Sequence, residues 1–375
     1  MRRRAFQTIL ALTFSVGLSS QAVGQVIDGK TGPGSLYRLI RPPNWNGTLL
    51  VYAHGFVLPD QPVSLPPDGD LIASIVVPQG VAVAISSYSE NGWAVKDGAQ
   101  RTFQLLGLFT SKFGAPNRVY IAGASMGGLI AVKLVETYPD RFVGALPACG
   151  LVGGMQRQAD YWGHVRGLFD FFYPGVLPGT VAAVPPGIDV SQAIVAPATA
   201  AMMADPSGAL AIASIAQTPV PFANGVELIQ SIATALAGHA TSYPDLLEFT
   251  HGHAFFDNIE TVYTGSLPPA VLGGLNAGVG RFAADPSALN YLDHYYEPTG
   301  DIQVPTLTLR TSRDPVLPGF NQLAFGATVA AAGQSDLLVQ RTVDRYGHCN
   351  FLPGELAQAF SDLVLWAEHG IKPAP

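Results

Sequence analysis

The sequence predicts an α/β protein: a mostly parallel sheet with helices on both faces, interrupted by a large, mainly helical insertion. Three observations carry this. From about residue 35, short apolar runs of strand length alternate with stretches whose apolar residues recur at helical spacing, the pattern of strand-helix-strand units. That rhythm breaks over 151–296, a stretch rich in Ala, Pro and Gly, and then resumes; no ordinary connection between elements is so long. The chain has 375 residues, 48% hydrophobic and only 13% charged, which suffices for a sizeable core and excludes global disorder.

Taken in order, residues 1–24 read as a signal peptide. "MRRR" is a positive start, "AFQTILALTFSVGL" an apolar stretch too short to span a bilayer, and Ala22-Val23-Gly24 offers small residues for cleavage. Export to the periplasm or the medium, with no stable membrane span, is the expectation. The segment "SLYRLIRP" reads as a strand stopped by Pro42-Pro43, "GTLLVYAHGF" as a buried strand entering a loop, and "GVAVAISSY" as another. Residues 97–113 have helical apolar spacing, with Asp97 placed to cap the start and Gly114 to stop it. Then follow the strand "RVYIAGAS", a helix over about 127–138 halted before Pro139, and the strand "FVGALPA". After the insertion come "IQVPTLTLRTSRDPVLP", "LLVQRTVDRYGHCNF" and the helix "GELAQAFSDLVLWAEHG". The division is a core of 25–150 and 297–375 around a lid or cap at 151–296.

Charge narrows the partners. Three of the 20 basic residues stand in the first four positions, so the mature chain would carry 17 against 27 acidic residues. Nucleic acid, which needs a Lys/Arg surface, is excluded as a partner.

Gly123-Ala124-Ser125-Met126-Gly127 fits the pattern G-x-S-x-G. In a chain with 41 glycines the pattern alone carries little weight, but its setting does: a strand-like run precedes it and a helical run follows. A sharp strand-to-helix turn projects the Ser hydroxyl, flanking glycines avoid collisions, and the helix N-terminus offers free N–H groups to a developing oxyanion. A serine hydroxyl is a weak nucleophile, so a base and an orienting acid must come from elsewhere in the chain.

This stretch resembles the nucleophile elbow of the α/β-hydrolase superfamily, esterases and lipases included, in which Ser, acid and His follow in that order. Three further segments are similar in the right order: His54-Gly55-Phe56 at the end of an early strand, Asp314 in "SRDPVLP" and His348 in "YGHCNF", each after a strand. The resemblance covers about 30–150 and 297–372. It implies the α/β-hydrolase fold and a serine hydrolase, exported if the N-terminus is read as above, with Ser125 as nucleophile, His348 as base and Asp314 as its orienting acid. The backbone N–H groups of Phe56 and Met126 would form the oxyanion hole, although the loop is "HGF" and not the longer "HGGG" of some relatives. No metal or organic cofactor is implied. By strand order Cys149 and Cys349 fall on one edge of the sheet, where a disulfide would tether the histidine loop.

Rivals exist for each role. Asp344 and Asp301 compete with Asp314 but do not follow a strand end on that edge, and His54 belongs to the oxyanion turn. His164, His239, His251, His253 and His294 lie in the insertion and His369 in the final helix. "HGHAFFD" at 251–257 lacks the third ligand a zinc site requires and reads as ordinary surface histidines. Tyr88 and Trp93, on the loop after the "GVAVAISSY" strand, either line an acyl pocket or pack the loop. The substrate expected is an uncharged alkyl or aryl ester, small or polymeric, such as a polyester or a phenolic ester. The alternatives are a peptidase of the same fold, with Glu227, Glu248 or Glu260 capturing a peptide amine, and a binding protein without catalysis.

Overall fold

The structure is a computed structural model and describes residues 24–375; apart from Gly24, the expected signal peptide lies outside the described residues. In chain order it forms β1 (Gln25–Thr31), β2 (Ser35–Arg41), β3 (Thr48–Ala53), α1 (Pro67–Val76), β4 (Ala82–Ser86), α2 (Val95–Phe113), β5 (Arg118–Ala124), α3 (Met126–Thr137) and β6 (Gly144–Ala148). The insertion supplies α4 (Met155–Phe172), α5 (Ala196–Ala204), α6 (Pro206–Ala213), α7 (Gly225–Phe249), α8 (Pro269–Gly278) and α9 (Pro286–Tyr296). The chain then closes with β7 (Thr306–Arg313), α10 (Phe320–Ala331), β8 (Leu338–Tyr346) and α11 (Pro353–His369).

The eight strands make one sheet in the order β1-β2-β4-β3-β5-β6-β7-β8. Only β1 and β2 run antiparallel to their neighbours; from β4 to β8 every pairing is parallel. The buried parallel strands are apolar throughout, as "TLLVYA" and "AVAIS" show, because both faces are covered. The β1–β2 hairpin was not legible from "QVIDGKT", whose residues are exposed or half-buried as befits an edge strand. Helix α2 buries Val95, Gly98, Thr102, Leu105, Leu106 and Phe109, one stripe at helical spacing, and stops at Gly114 with φ 93°. It begins two residues before the expected position. Asp97 therefore sits inside the first turn, where it accepts from the backbone of Ser89 (2.7 Å) and pairs with Arg101 (3.0 Å).

Two apolar clusters hold the sheet. On one face Val51, Ile121, Ile130 and Val132 are continuous with Leu168, Phe169, Ile232 and Leu236 of the insertion. The other face packs Leu50, Tyr52, Tyr120, Leu146 and Leu309 against Val76 of α1 and Phe360, Leu363 and Trp366 of α11. Among the described residues no helix is long and apolar enough to cross a membrane.

Candidate active site

Strand order makes the site. The C-terminal ends of β5, β6, β7 and β8, four consecutive neighbours, are followed by Ser125, Cys149, Asp314 and His348. On the other side of β5, β3 leads into His54 and Gly55, at the point where the chain has turned from one half of the sheet to the other. Such a switch point opens a crevice beyond the strand ends.

Ser125 joins β5 to α3 at φ 56°, ψ −120°, a conformation that costs a non-glycine residue roughly 1–3 kcal/mol. Four of the five non-glycine residues with positive φ among the described residues lie in or beside this site: Tyr88, Ser125, Cys149 and Cys349. The flanking glycines are required by contact. A Cβ on Gly123 would overlap the carbonyl of Gly127, and one on Gly127 would overlap that of Ala53. The turn is pinned by the Ser125 N–H donating to Ala148 O (3.0 Å) and by Ser125 O accepting from Gly128 and Leu151 (2.9 and 3.1 Å).

The structure brings Ser125, Asp314 and His348 together. His348 Nε2 lies 2.9 Å from Ser125 Oγ, and its Nδ1 lies 2.7 Å from Asp314 Oδ2. Asp314 is 1% exposed, and its other oxygen accepts from the N–H groups of Val316 and Leu317 (2.9 and 3.0 Å). Its carboxylate is thus aimed by the backbone of its own loop. The rivals sit elsewhere: Asp344 is on the surface, bonded to Ser312 and Arg313, and Asp301 is exposed beside Gln303.

His348 must reach back from β8 across β7 and β6 to a serine on β5. The Cys149–Cys349 disulfide, with its Cα atoms 5.3 Å apart, holds it there. Strands β6 and β8 are not neighbours, so their ends stand about 9–10 Å apart in a regular sheet. The bond therefore fixes the histidine loop folded inward over the end of β7. Thr311 Oγ1 and the Arg313 carbonyl add hydrogen bonds to Gly347 on the same loop (2.6 and 3.0 Å).

His54 takes a part that its sequence position only hinted at. Its buried Nδ1–H donates to the carbonyl of Gly55 (2.7 Å), its ring stacks on Tyr88 at 3.8 Å, and Tyr88 Oη–H donates to the His54 carbonyl (3.0 Å). Burial lowers the His54 pKa and favours the neutral ring. In a planar trans peptide the carbonyl of Gly55 and the N–H of Phe56 point opposite ways, so holding the one directs the other. Gly55 lies against Ser125, since a Cβ there would come within 3.1 Å of Ser125 Cβ. Met126, the second expected donor, is the first residue of α3.

A cavity of about 270 Å³ opens beside Ser125 and His348. Its walls are Leu50, Tyr52, Ala122 and Leu146 of the sheet, Ile72 and Ile75 of α1, and Leu356 and Phe360 of α11. Neither Tyr88 nor Trp93 lines it. Tyr88 is wholly buried behind His54, and Trp93 backs Phe56 with ring centroids 4.9 Å apart while its backbone N–H donates to Asp245 (2.6 Å). No residue of 151–296 lines it either. Of the insertion histidines, His253 pairs with Asp285 (3.0 Å), while His164 and His239 are buried, with pKa values pushed down by burial to about 4 and about 3.

Among the solved structures similar over most of the chain are two esterases. Feruloyl esterase B from Aspergillus oryzae aligns at TM-score 0.51 and 15% identity, covering 93% of this chain and 80% of its own. An esterase from Aspergillus oryzae aligns at TM-score 0.55 and 14% identity, with the same shares of 93% and 80%. The chain has the α/β-hydrolase fold. No family model matches it, and no curated protein does. In α/β-hydrolase terms the elbow is the β5–α3 turn, and the insertion follows β6.

Proposed function

We infer that the protein is a serine hydrolase of carboxylic esters. The observation that carries this is the unbroken chain Asp314–His348–Ser125, with hydrogen-bond distances of 2.7 and 2.9 Å, at the mouth of an apolar cavity. In the reaction Ser125 Oγ attacks the ester carbonyl carbon while His348 Nε2 takes its proton, and Asp314 stabilises the charged ring. The oxyanion is received by the N–H groups of Phe56 and Met126, the former directed by His54; one such donor is worth about 2.7–4 kcal/mol. His348 then gives its proton to the departing alkoxy oxygen, leaving Ser125 acylated. Water, deprotonated by the same ring, attacks the acyl carbon, the Ser125 Oγ–C bond breaks and the carboxylic acid leaves.

The names of the two similar structures, both esterases, favour this substrate class over peptides. So does the fate of the acids offered for a peptide amine. Glu227 is engaged by Arg313 (3.0 Å) and by the Ala223 N–H (2.7 Å), and Glu248 and Glu260 are exposed on the surface. The charged start of the chain and the disulfide favour export to an oxidising compartment. Purified protein is expected to hydrolyse p-nitrophenyl esters and leave aminoacyl-anilides untouched, with Ser125→Ala slower by about 10⁴-fold or more. Preference for the anilides would overturn the reading, as would undiminished ester turnover in Ser125→Ala.

A further inference from the structure

The cavity beside Ser125 lies on the sheet face away from the insertion, and its origin is visible in the strands. On β5 the side chains of that face shrink from Tyr120 to Ala122 to Ala124 as the strand approaches the nucleophile, and on β6 from Leu146 to Ala148. Helices α1 and α11 do not close the space this leaves. They cover it with Ile72, Ile75, Leu356 and Phe360, so a pocket runs from the Ser125 hydroxyl into the interior between sheet and helices. Its one charged wall, Asp68, is occupied by a hydrogen bond from Tyr52 Oη–H. Away from Ser125 and His348 at its mouth, the rest of the lining is apolar.

We propose that this pocket is the acyl site and that it takes a linear, uncharged, saturated acyl chain of about eight to ten carbons, with Ile75 of α1 and Leu356 of α11 setting the length. The size follows from volume: a cavity of about 150 Å³ accommodates six carbons as benzene, so one of about 270 Å³ sets a ceiling of about eleven, and the space at the mouth beside Ser125 and His348 is taken by the ester group itself. The assignment to acyl and not alcohol follows from the two-step reaction inferred above, on which it rests. The acyl group stays bonded to Ser125 until water releases it, so contacts with it act in both steps, whereas the alcohol must depart between them.

The test varies acyl length from acetate to dodecanoate on a constant p-nitrophenol, and alcohol length on a constant acetyl group. Ile75→Trp is expected to lower the ratio of kcat/KM for octanoate to that for acetate by about 20-fold or more. Leu356→Ala is expected to move the best chain length upward, a change of opposite sign that mere misfolding does not produce. If both variants leave the acyl profile as in the wild type, or if they alter the alcohol profile instead, the proposal is overturned and the hydrolase reading stands. A binding readout separates the two. Octanoate ester should raise the Tm of Ser125→Ala and raise it less when Ile75→Trp is added. Were no ester hydrolysed while that pattern held, the pocket would stand only as a binding site for an alkyl chain, and both the reaction and the assignment to the acyl side would be overturned. Loss of both overturns both.

Discussion

On the sheet face that carries α2, α3 and the insertion, Val51, Ile121, Ile130 and Val132 merge with Leu168, Phe169 and Leu236 in one buried cluster. The opposite face, between β3, β5, β6 and the helices α1 and α11, keeps about 270 Å³ unfilled next to the same serine. Under the proposed reaction, the difference separates two tasks. The strained elbow at Ser125 and the peptide held by His54 need surroundings that do not yield, because a displacement of an ångström would lengthen a 2.9 Å hydrogen bond beyond use. Recognition of an apolar group needs the reverse, a place where packing was left incomplete. Apolar burial worth roughly 25 cal/mol per Å² is then supplied by substrate.

With the tasks divided in this way, damage to the proton-handling groups should lower the rate without changing chain preference. The largest such effect is expected for Asp314→Asn, which keeps the loop bonds to Val316 and Leu317 but misorients the imidazole. Its kcat should fall by roughly 10³–10⁴, with the acyl-length profile on p-nitrophenyl esters unchanged. A changed profile would mean that the two regions are coupled.

The disulfide comes next. Replacing both Cys149 and Cys349 with Ser should cost about 2–4 kcal/mol in denaturant unfolding. It should also lower kcat more than it raises KM, because His348 loses the tether that folds its loop inward. Equal kcat in reduced and oxidised protein would contradict the positioning role.

The smallest expected effect belongs to the junction of insertion and core. Glu297 accepts from the Gln156 N–H (2.9 Å) at the start of α4, and burial, reinforced by Asp293, raises its pKa to about 7. The unfolded chain titrates near 4.5, so the native state favours the protonated carboxyl. That contribution is whole below pH 4.5 and lost as pH rises through 7. Glu297→Gln, uncharged throughout and still an acceptor, should gain roughly 2–3 kcal/mol over the wild type between pH 4.5 and 8 in urea titrations. A pH-independent difference would contradict this.

Much of the packed face could be read from the sequence. The runs "TLLVYA", "AVAIS" and "RVYIAGA" are apolar beyond what a one-sided strand needs, and the spacing of Gly123, Ser125 and Gly127 announces a turn without room for side chains. Asp314 and His348 were legible because each follows a strand that must end on the same edge. The hollow face was not. Ala122, Ala124, Leu146 and Ala148 are unremarkable one by one, and only their alignment across two strands makes a cavity. Helix α1 carried its start signals, Pro67 followed by Asp68 and Asp70, but its apolar residues crowd into 71–76, a run too short to tell a helix from a strand. Tyr88 and Trp93 show the remaining gap. Sequence order placed them at the right edge, but burial against His54 and Phe56 decided that they support the site from behind.

The most direct test of the central claim is covalent. Wild-type protein treated with a fluorophosphonate should gain a single adduct that peptide mapping places on Ser125, and His348→Ala should slow its formation by roughly 10³-fold or more. An adduct on another residue, or equal labelling rates in the two proteins, would contradict a serine activated by His348.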